Sequence, residues 1–258
     1  MYRRVFEAKA GSGSDPQAST HPFVLEPPLT SRCSFGPGET ASCRLLLFGW
    51  ANDTLPYFVY AFQQMGELGL GRRVDGRRGT FHLAAVTSGG EIMYDSDSGA
   101  LRPPSSLPEL VLQPEQPSDN EIKEISLKIE TPLRVKHENK LHAELPFHIL
   151  VRAMLRRISA LSKHFGDGEP PLDYRGMVAR AVDVHTTASS IRWLDWKRYS
   201  NRQDQAMLMG GIVGSVTYRG RLDEFVPLLR YCEKVHVGKA TTFGLGKIMI
   251  AGRKIADG

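Results

Sequence analysis

The chain has 258 residues, of which 41% are hydrophobic and 24% are charged, a composition typical of a folded soluble protein with one large or two small domains. It has no apolar run near the ~20 residues of a membrane-spanning helix and no apolar stretch of signal-peptide length at its N-terminus. Its three cysteines, Cys33, Cys43 and Cys232, include no CxxC pair. Because neither a disulfide framework nor a zinc site is indicated, we expect a cytoplasmic protein without a metal ion or a cofactor.

The net charge of +5 is unevenly distributed along the chain. Residues 1–120 carry 10 Lys and Arg against 13 Asp and Glu, a net charge of −3, whereas residues 121–258 carry 23 against 15, a net charge of +8. A basic half beside a mildly acidic one indicates that the second half contacts a polyanion, although a basic surface can also serve solubility alone.

A proline-rich stretch lies between the two halves. Residues 95–120 contain five prolines together with many Ser and Asp residues. Proline fixes its own φ and cannot donate a backbone hydrogen bond, so the stretch is typical of a linker or a long loop. We therefore predict a linker at residues 101–120, between a first domain at residues 1–100 and a second at residues 121–258.

The first half predicts one helix among short strands. Asp53 or Thr54 can cap this helix, Pro56 falls in its first turn, and the glycines from Gly66 to Gly71 end it. The predicted strands are residues 43–50, which read as a buried strand, and residues 79–88 and 91–95.

The second half contains the clearest helix of the sequence, residues 145–165. On one of its faces, His148, Arg152 and Arg156 recur at i, i+4 and i+8. Residues 124–135 alternate apolar and polar side chains, which predicts a strand with Ile125 on its apolar face. The remaining predicted elements are a short helix or turn at 173–184, a hairpin pair at 189–200 and 207–220, a helix at 222–235 and a last strand at 247–252.

The stretch VGKATTFGLGKIMI, residues 237–250, places a glycine loop before that last strand. It lacks the GxxxxGK[ST] spacing of a Walker A motif. It also lacks the third glycine and the following helix of a dinucleotide fingerprint. What remains is a loop whose bare backbone N–H groups can approach a phosphate, with Lys239 and Lys247 beside it.

A short internal repeat echoes this loop. Gly69-Leu70-Gly71-Arg72 matches Gly244-Leu245-Gly246-Lys247, and each follows a predicted helix and precedes a predicted strand. Two such helix–loop–strand units predict a duplicated α+β fold. The arginines of GLGRRVDGRR in the first unit offer a second RNA or protein contact, with a solvated turn as the alternative.

Several stretches after His21 resemble, in their number and order, the CRISPR precursor-RNA processing endoribonucleases of the RAMP superfamily. They are HPFVLEPPL, FGPGET, LLLFG, LPYFVYAFQQMGELGLGR, LPFHILVRAMLRRIS, RWLDWKRYSNRQ, MGGIVGSVTY and HVGKATTFGLGKI. The resemblance implies a prokaryotic protein of the α+β class, with tandem ferredoxin-like (RRM-like) domains, that binds CRISPR repeat RNA and cleaves it without a metal ion. It also implies that the glycine loop contacts the RNA backbone, through Gly238, Lys239, Thr241, Thr242, Gly244, Gly246 and Lys247.

The N-terminus departs from the pattern of this family. The first strand and helix of the family are missing before HPFVLEPP, so we expect the first ferredoxin-like domain to be incomplete at its N-terminus. Several family members carry the catalytic histidine in that region. We therefore expect part of the usual active site to be missing; a truncated product, a late start codon and a binding relative without cleavage are all left open.

Metal-independent RNA cleavage uses the ribose 2′-OH as nucleophile and leaves a 2′,3′-cyclic phosphate. It needs a general base, a cation beside the phosphorane and a general acid, and histidine suits the base or the acid. We take His148 as the catalytic candidate because Arg152 and Arg156, which we take as RNA-binding residues that neutralise phosphate, share its face; the alternative is a solvated basic face at a helix start. His236, beside the glycine loop, is interpreted as structural or phosphate-binding, and His185 is the third candidate.

The stretch IRWLDWKRYSNRQ interleaves aromatic residues, which can stack on bases, with basic residues, which can meet phosphates. Trp193 and Trp196 are an odd number of residues apart and point to opposite faces of a regular strand, so we expect one of them in the core. The candidate RNA-binding residues here are Arg192, Lys197 and Arg198.

Two rival functions stay open. The first is a non-catalytic RAMP RNA-binding subunit of a CRISPR effector complex, whose partners would include other effector subunits. The second is a small-molecule α+β enzyme, which no catalytic constellation supports. Neither of these functions, nor RNA processing itself, involves a membrane.

Overall fold

The structure, a computed structural model, describes residues 5, 20–30, 32, 34–112, 121–137, 140–141, 143–200 and 205–255, without the side chains of 137, 140–141, 197–200, 205–207 and 255. The chain forms two compact units, residues 1–48 with 111–258, and residues 49–110. The predicted division into domains at 1–100 and 121–258 stays a prediction. The family's first strand and helix were expected to be missing before His21. This prediction falls almost wholly outside the described residues, which include only residues 5 and 20 of that region.

The elements of the described residues are short strands and four α-helices. The strands are β1 (Phe23–Glu26), β2 (Arg44–Leu47), β3 (Leu70–Val74), β4 (Arg77–Gly79), β5 (Ala85–Ser88), β6 (Glu91–Asp95), β7 (Ile122–Leu133), β8 (Lys136–His137), β9 (Lys140–Leu141), β10 (His185–Ser189), β11 (Arg192–Leu194), β12 (Lys197–Ser200), β13 (Gln205–Leu208), β14 (Gly211–Arg219) and β15 (Ile248–Ile255). The helices are α1 (Leu55–Leu68), α2 (Phe147–Phe165), α3 (Tyr174–Arg180) and α4 (Val226–Val235). No helix in this part of the chain is both long and apolar enough to cross a membrane.

The larger unit is built on an antiparallel sheet in the order β10–β14–β7–β15, with β11 also paired to β14. With α2 and α3 between β7 and β10, and α4 between β14 and β15, this is the predicted ferredoxin-like arrangement. β7 alternates as predicted: Ile125, Leu127 and Ile129 are 0%, 1% and 2% exposed. Since successive side chains of a strand point to opposite faces, Ser126 and Lys128 lie on the other face of the sheet.

Aromatic packing fixes the direction of α2. Phe147, its first residue, packs against Tyr218 and Phe225, with ring centroids 4.8 and 5.0 Å away. Tyr218 is paired with Ile125, near the start of β7, so α2 begins at that end of the sheet. We call this the far end, and we call the other end, where β7 finishes at Leu133, the loop end.

A buried arginine joins α2 to α4 at the loop end. The guanidinium of Arg157 donates from two nitrogens to the carbonyl oxygen of Val235, the last residue of α4, over 3.1 and 2.9 Å. Its carbon lies 5.7 Å from the ring centroid of Phe48. Burial lowers the pKa of Arg157 to about 10, so the side chain stays charged at neutral pH. The cation therefore satisfies a carbonyl that the helix leaves without a partner.

The second unit, residues 49–110, contains α1 and two β-hairpins, β3–β4 and β5–β6. Pro56 lies in the first turn of α1 as predicted, but neither predicted cap is made. The hydroxyl of Thr54 donates to the carbonyl of Ala51 over 2.6 Å and accepts no hydrogen bond from a helix N–H. Near the other end of α1, a Cβ at Gly66 would lie 2.2 Å from the carbonyl oxygen of Phe81, so this packing requires glycine.

Two strand predictions differ from the structure in detail. Residues 79–88, expected as one strand, are shared between β4 and β5, because these strands pair in separate hairpins. β2 is half-exposed rather than buried, because it pairs only with β1 in a two-stranded sheet. The two copies of the internal repeat also share a left-handed backbone at their glycines. φ is +76° and +86° at Gly69 and Gly71, and +76° and +74° at Gly244 and Gly246.

Candidate functional site

The glycine loop, residues 237–247, is hydrogen-bonded to the loop end of the sheet. The N–H of Gly246 donates to the carbonyl of Pro132 over 3.1 Å, and the N–H of Lys239 donates to the carbonyl of Arg134 over 2.9 Å. These bonds join both sides of the loop to the end of β7. The loop is thus a shaped part of the sheet edge.

Thr131 closes the loop from inside β7. Its hydroxyl donates to the carbonyl of Gly244 over 2.8 Å and accepts from the N–H of Lys247 over 2.8 Å. Because Thr131 is only 9% exposed, both bonds are shielded from water.

Two of the glycines are required by geometry. Gly246 has a φ of +74°, and a Cβ there would lie 1.8 Å from the carbonyl oxygen of Val237. Gly244 has a φ of +76°, and a Cβ there would lie 2.9 Å from the carbonyl oxygen of Leu25. Any side chain would therefore open the loop, since few L-residues adopt this backbone and none fits the space.

Behind the loop lies a buried ionic group, Glu26–His236–Lys247. The Nε2 of His236 lies 2.7 Å from Oε1 of Glu26, and the Nζ of Lys247 lies 2.9 Å from Oε2 of the same carboxylate. The Nδ1 of His236 lies 3.0 Å from the carbonyl oxygen of Leu245. Since Glu26 ends β1, this group ties β1 to the loop.

The charges of this group stabilise one another. Burial by itself raises the pKa of Glu26, but hydrogen bonds from His236 and Lys247 outweigh burial and hold this pKa below its ordinary value. Burial lowers the pKa of His236, and its two acceptors, Glu26 and the carbonyl of Leu245, oppose that shift. His236 is 0% exposed. It therefore holds the loop in shape and cannot reach an RNA strand outside.

The loop's two lysines have different surroundings. The ammonium of Lys247 is held by Glu26 and its side chain is only 19% exposed, so it stabilises the loop from behind. Lys239 is exposed. Burial lowers the pKa of Lys239, and the positive charges of Lys136 and Arg134 lower it further, which shows that three cations share this corner. The predicted phosphate contacts of Lys239 and Lys247 both stay predictions.

The turn of the loop at Ala240–Phe243, in which Thr241 is buried and Phe243 is exposed, contains unused backbone donors. Ala240 has a left-handed backbone, with a φ of +61°, and a 3₁₀ turn at Thr241–Phe243 follows it. The N–H groups of Ala240, Thr241 and Thr242 make no hydrogen bond within the described residues. Successive N–H groups in such a turn converge on a concavity that suits an anion. Three cations stand beside it.

The aromatic and basic stretch lies on the hairpin that extends from the sheet edge. Trp193 and Trp196 are each 38% exposed, so the prediction that one of them belongs to the core is wrong. The reason is that β11 is an edge strand, and β12 pairs only with β13 beyond the sheet. Arg192 is exposed beside Trp193. The side chains of Lys197 and Arg198 lie outside the described part of the structure.

The structure brings His148, Arg152 and Arg156 together, as predicted, on one face of α2. All three line a cavity between α2 and α3. The row runs from the far end, where His148 follows Phe147, toward the loop end, where Arg156 precedes Arg157, the residue that binds the last carbonyl of α4. From His148 to Arg157 the helix rises about 14 Å at ~1.5 Å per residue. His185 also lies at the far end, because it pairs with Arg219. The role of His148 as general base stays a prediction.

The residues that the sequence analysis did not identify include three that support the site from inside: Glu26, Thr131 and Arg157. Each acts on a residue that is distant in the chain, so no local spacing reveals it. A weak signal existed for Arg157, which falls beside the apolar face of α2, where an arginine needs a buried partner. Thr131 and Glu26 end apolar strand patterns in no distinctive way.

Comparison with known families divides the chain near its middle. Residues 127–248 match the family described as CRISPR-associated endoribonuclease Cas6. Residues 1–106 match another family, described as an N-terminal domain. No curated protein matches the chain in sequence.

Several solved structures share the fold along most of this chain. Cas6 (TTHB231) of Thermus thermophilus is 14% identical with a TM-score of 0.52, over 92% of this chain and 84% of that one. Its product complex is 15% identical with a TM-score of 0.52, over 90% and 82%. A partial Cas6-RT-Cas1–Cas2 complex gives 15% identity and a TM-score of 0.56, over 91% of this chain and 39% of that one. At these identities the similarity shows the fold, with tandem ferredoxin-like domains.

Proposed function

We propose that this chain, whose residues 127–248 match the family of CRISPR-associated endoribonucleases Cas6, binds CRISPR repeat RNA at the glycine loop and cleaves it without a metal ion. The observation that carries the proposal is the turn of the loop at Ala240–Phe243. The unused N–H groups of Ala240–Thr242 lie in this turn, next to Lys239 and beside the cations Arg134 and Lys136. Backbone donors and unpaired cations together bind phosphates without reading the base sequence.

The hairpin with Trp193 and Trp196 supplies a second kind of contact. Exposed indole rings can stack on unpaired bases, and the exposed Arg192 beside them can meet a phosphate. Arg134 links this hairpin to the loop, since its guanidinium donates to the carbonyls of Leu208 and Gly210 over 2.9 and 2.7 Å. We therefore propose one continuous RNA path along the loop end of the sheet and the hairpin.

In the proposed reaction the ribose 2′-OH attacks the adjacent phosphorus, the bond to the 5′-oxygen breaks, and a 2′,3′-cyclic phosphate forms. A base removes the 2′-OH proton and an acid protonates the leaving 5′-oxygen. Of the three candidate histidines, His236 is buried, and His148 and His185 lie at the far end. If His148 is the base, the RNA must run from the loop to the far end.

The proposal is tested by incubating the purified chain with the repeat RNA of its own locus in EDTA. Cleavage at one site with a cyclic-phosphate end is the expected result. The His148→Ala variant should then lose cleavage and keep binding. Its control is His164→Ala, an exposed histidine in the last turn of α2. Full cleavage by His148→Ala would assign the base to another residue.

The second candidate function is binding without cleavage, as in a non-catalytic subunit of a CRISPR effector complex. The observation that favours it is the separation of His148 and His185 from the glycine loop. Tight binding of the repeat RNA with no product after long incubation would establish this candidate and refute cleavage by the chain.

A further inference from the structure

A cavity between α2 and α3, with His148 in its lining, lies apart from the glycine loop and the hairpin. Its volume is about 540 Å³, within the range of pockets that hold small ligands. Its base is formed by Leu155 and Ser159, which are 3% and 4% exposed. Val178 and Val182, from α3 and the turn after it, add apolar surface. We call this cavity the interhelical pocket.

Three guanidinium groups surround this apolar base. Arg152 and Arg156 lie one turn apart on α2, and Arg175 faces them from α3. Within the described residues none of the three forms an ion pair or a hydrogen bond. Arg180 on the same short helix α3 differs, because it is held by Asp173 at 3.0 Å and by Glu224 at 2.7 Å. The arginines of the pocket therefore do not hold α2 and α3 together.

One carboxylate, that of Glu169, also lines the pocket. It accepts the hydroxyl of Ser159 over 2.7 Å. Tyr174 is engaged as well, since its hydroxyl donates to the carbonyl of Pro170 over 3.1 Å. With three unneutralised cations against one carboxylate, the pocket has a net positive charge at neutral pH.

The chemistry of the occupant follows from this combination. An inorganic anion would leave the apolar base uncovered, and a neutral apolar ligand would leave three guanidinium groups without partners. A nucleotide meets both demands, since its base can cover Leu155 and Val178 while its phosphate takes the arginines. The planar guanidinium also stacks on nucleobases, which an ammonium cannot do.

We propose that the interhelical pocket binds one unpaired nucleotide, with the base inside the pocket and the phosphate on Arg152, Arg156 and Arg175. The nucleotide can come from the bound RNA strand or be free in solution, since the recognised chemistry is the same. The proposal that it comes from RNA rests on the proposed function. His148 lines the pocket at the end nearest the start of α2. It then contacts this nucleotide, whether or not it also catalyses RNA cleavage.

The test uses the full chain and two kinds of variant. Arg152→Ala with Arg175→Ala removes charge, and Val178→Trp fills the pocket while leaving the charges in place. Lys163→Ala, an exposed cation of α2 outside the pocket, is the matched control. Circular dichroism and thermal unfolding confirm that each variant is folded before binding is measured.

The first arm titrates the chain with AMP, GMP, CMP and UMP by calorimetry. The second scans 2-aminopurine along the repeat RNA and records its fluorescence at each position. We expect a free nucleotide, or one RNA position, to give a signal that both pocket variants reduce at least tenfold and Lys163→Ala leaves unchanged.

Two results separate this proposal from the proposed function. If RNA binds but no position and no mononucleotide depends on the pocket variants, the pocket proposal is overturned and the RNA function stands. If RNA does not bind at all but a mononucleotide does so through the pocket, the proposed function fails and the pocket proposal stands as a free-nucleotide site. Absence of both signals refutes the two together.

Discussion

Single residues decide whether the glycine loop can form. We expect Gly246→Ala to lower the free energy of unfolding by at least ~1–3 kcal/mol, the cost of a left-handed non-glycine residue, because the new Cβ also meets the carbonyl of Val237. RNA affinity should fall with it. Urea unfolding and a filter-binding titration measure both effects. Gly252→Ala in β15 is the control, because its Cβ would meet nothing within 4 Å; equal behaviour of the two variants would contradict the role given to Gly246.

At the same scale, the two lysines of the loop are expected to differ in role. Lys239 should contact the RNA, and Lys247 should stabilise the loop. We expect Lys239→Ala to weaken RNA binding and to reduce the slope of log K against log salt by about 1, as for one lost phosphate contact. Lys247→Ala should instead lower stability, since it leaves the buried Glu26 with one partner fewer. Titrations at several salt concentrations check the slopes. An exposed lysine of α4, Lys234, provides the control substitution; an unchanged slope for Lys239→Ala would remove this residue from the RNA path.

At the scale of elements, Arg157 links α2 with the end of α4. We expect Arg157→Met to lower the free energy of unfolding by ~1–3 kcal/mol, because the buried carbonyl of Val235 loses its donors. Arg156→Met is the neighbouring control, since Arg156 is exposed. Chemical unfolding of both variants tests this. A cost for Arg156→Met as large as that for Arg157→Met would mean that α2 responds to any loss of charge.

The elements were the most predictable part of the chain. β7, α2 and α4 follow from apolar spacing alone, because each buries an apolar face. The spacing could not give the direction of α2, since a helix pattern is the same when read from either end of the sheet. For this reason the sequence paired His148 correctly with Arg152 and Arg156, yet gave no indication that His148 lies at the far end of the sheet, away from the loop. The exposure of Trp193 and Trp196 was missed for a related reason. Odd or even spacing tells which face of a strand a side chain is on, but not whether other elements pack on that face.

At the scale of the whole molecule, stability should depend on pH through Glu26. Its folded pKa lies below the ordinary value, so the ionic group stabilises the protein above the unfolded pKa of ~4.3 and loses this effect as the pH falls through the folded pKa. We expect the wild type to exceed Glu26→Gln in melting temperature at pH 7 and to lose that advantage below about pH 4. Thermal unfolding of both proteins from pH 7 to pH 3.5 measures this. A constant difference across that range would show that the carboxylate charge contributes nothing.

The bond between His236 and Glu26 joins residues 210 positions apart. A ribosome therefore synthesises β1 long before His236, which binds Glu26 at the end of that strand. The loop can form only when most of the polypeptide has been made. A prematurely terminated product that ends before His236 contains the basic α2 but not the shaped loop. Under the proposed function, such a product lacks the phosphate contacts of the loop and should bind the repeat RNA more weakly than the finished chain.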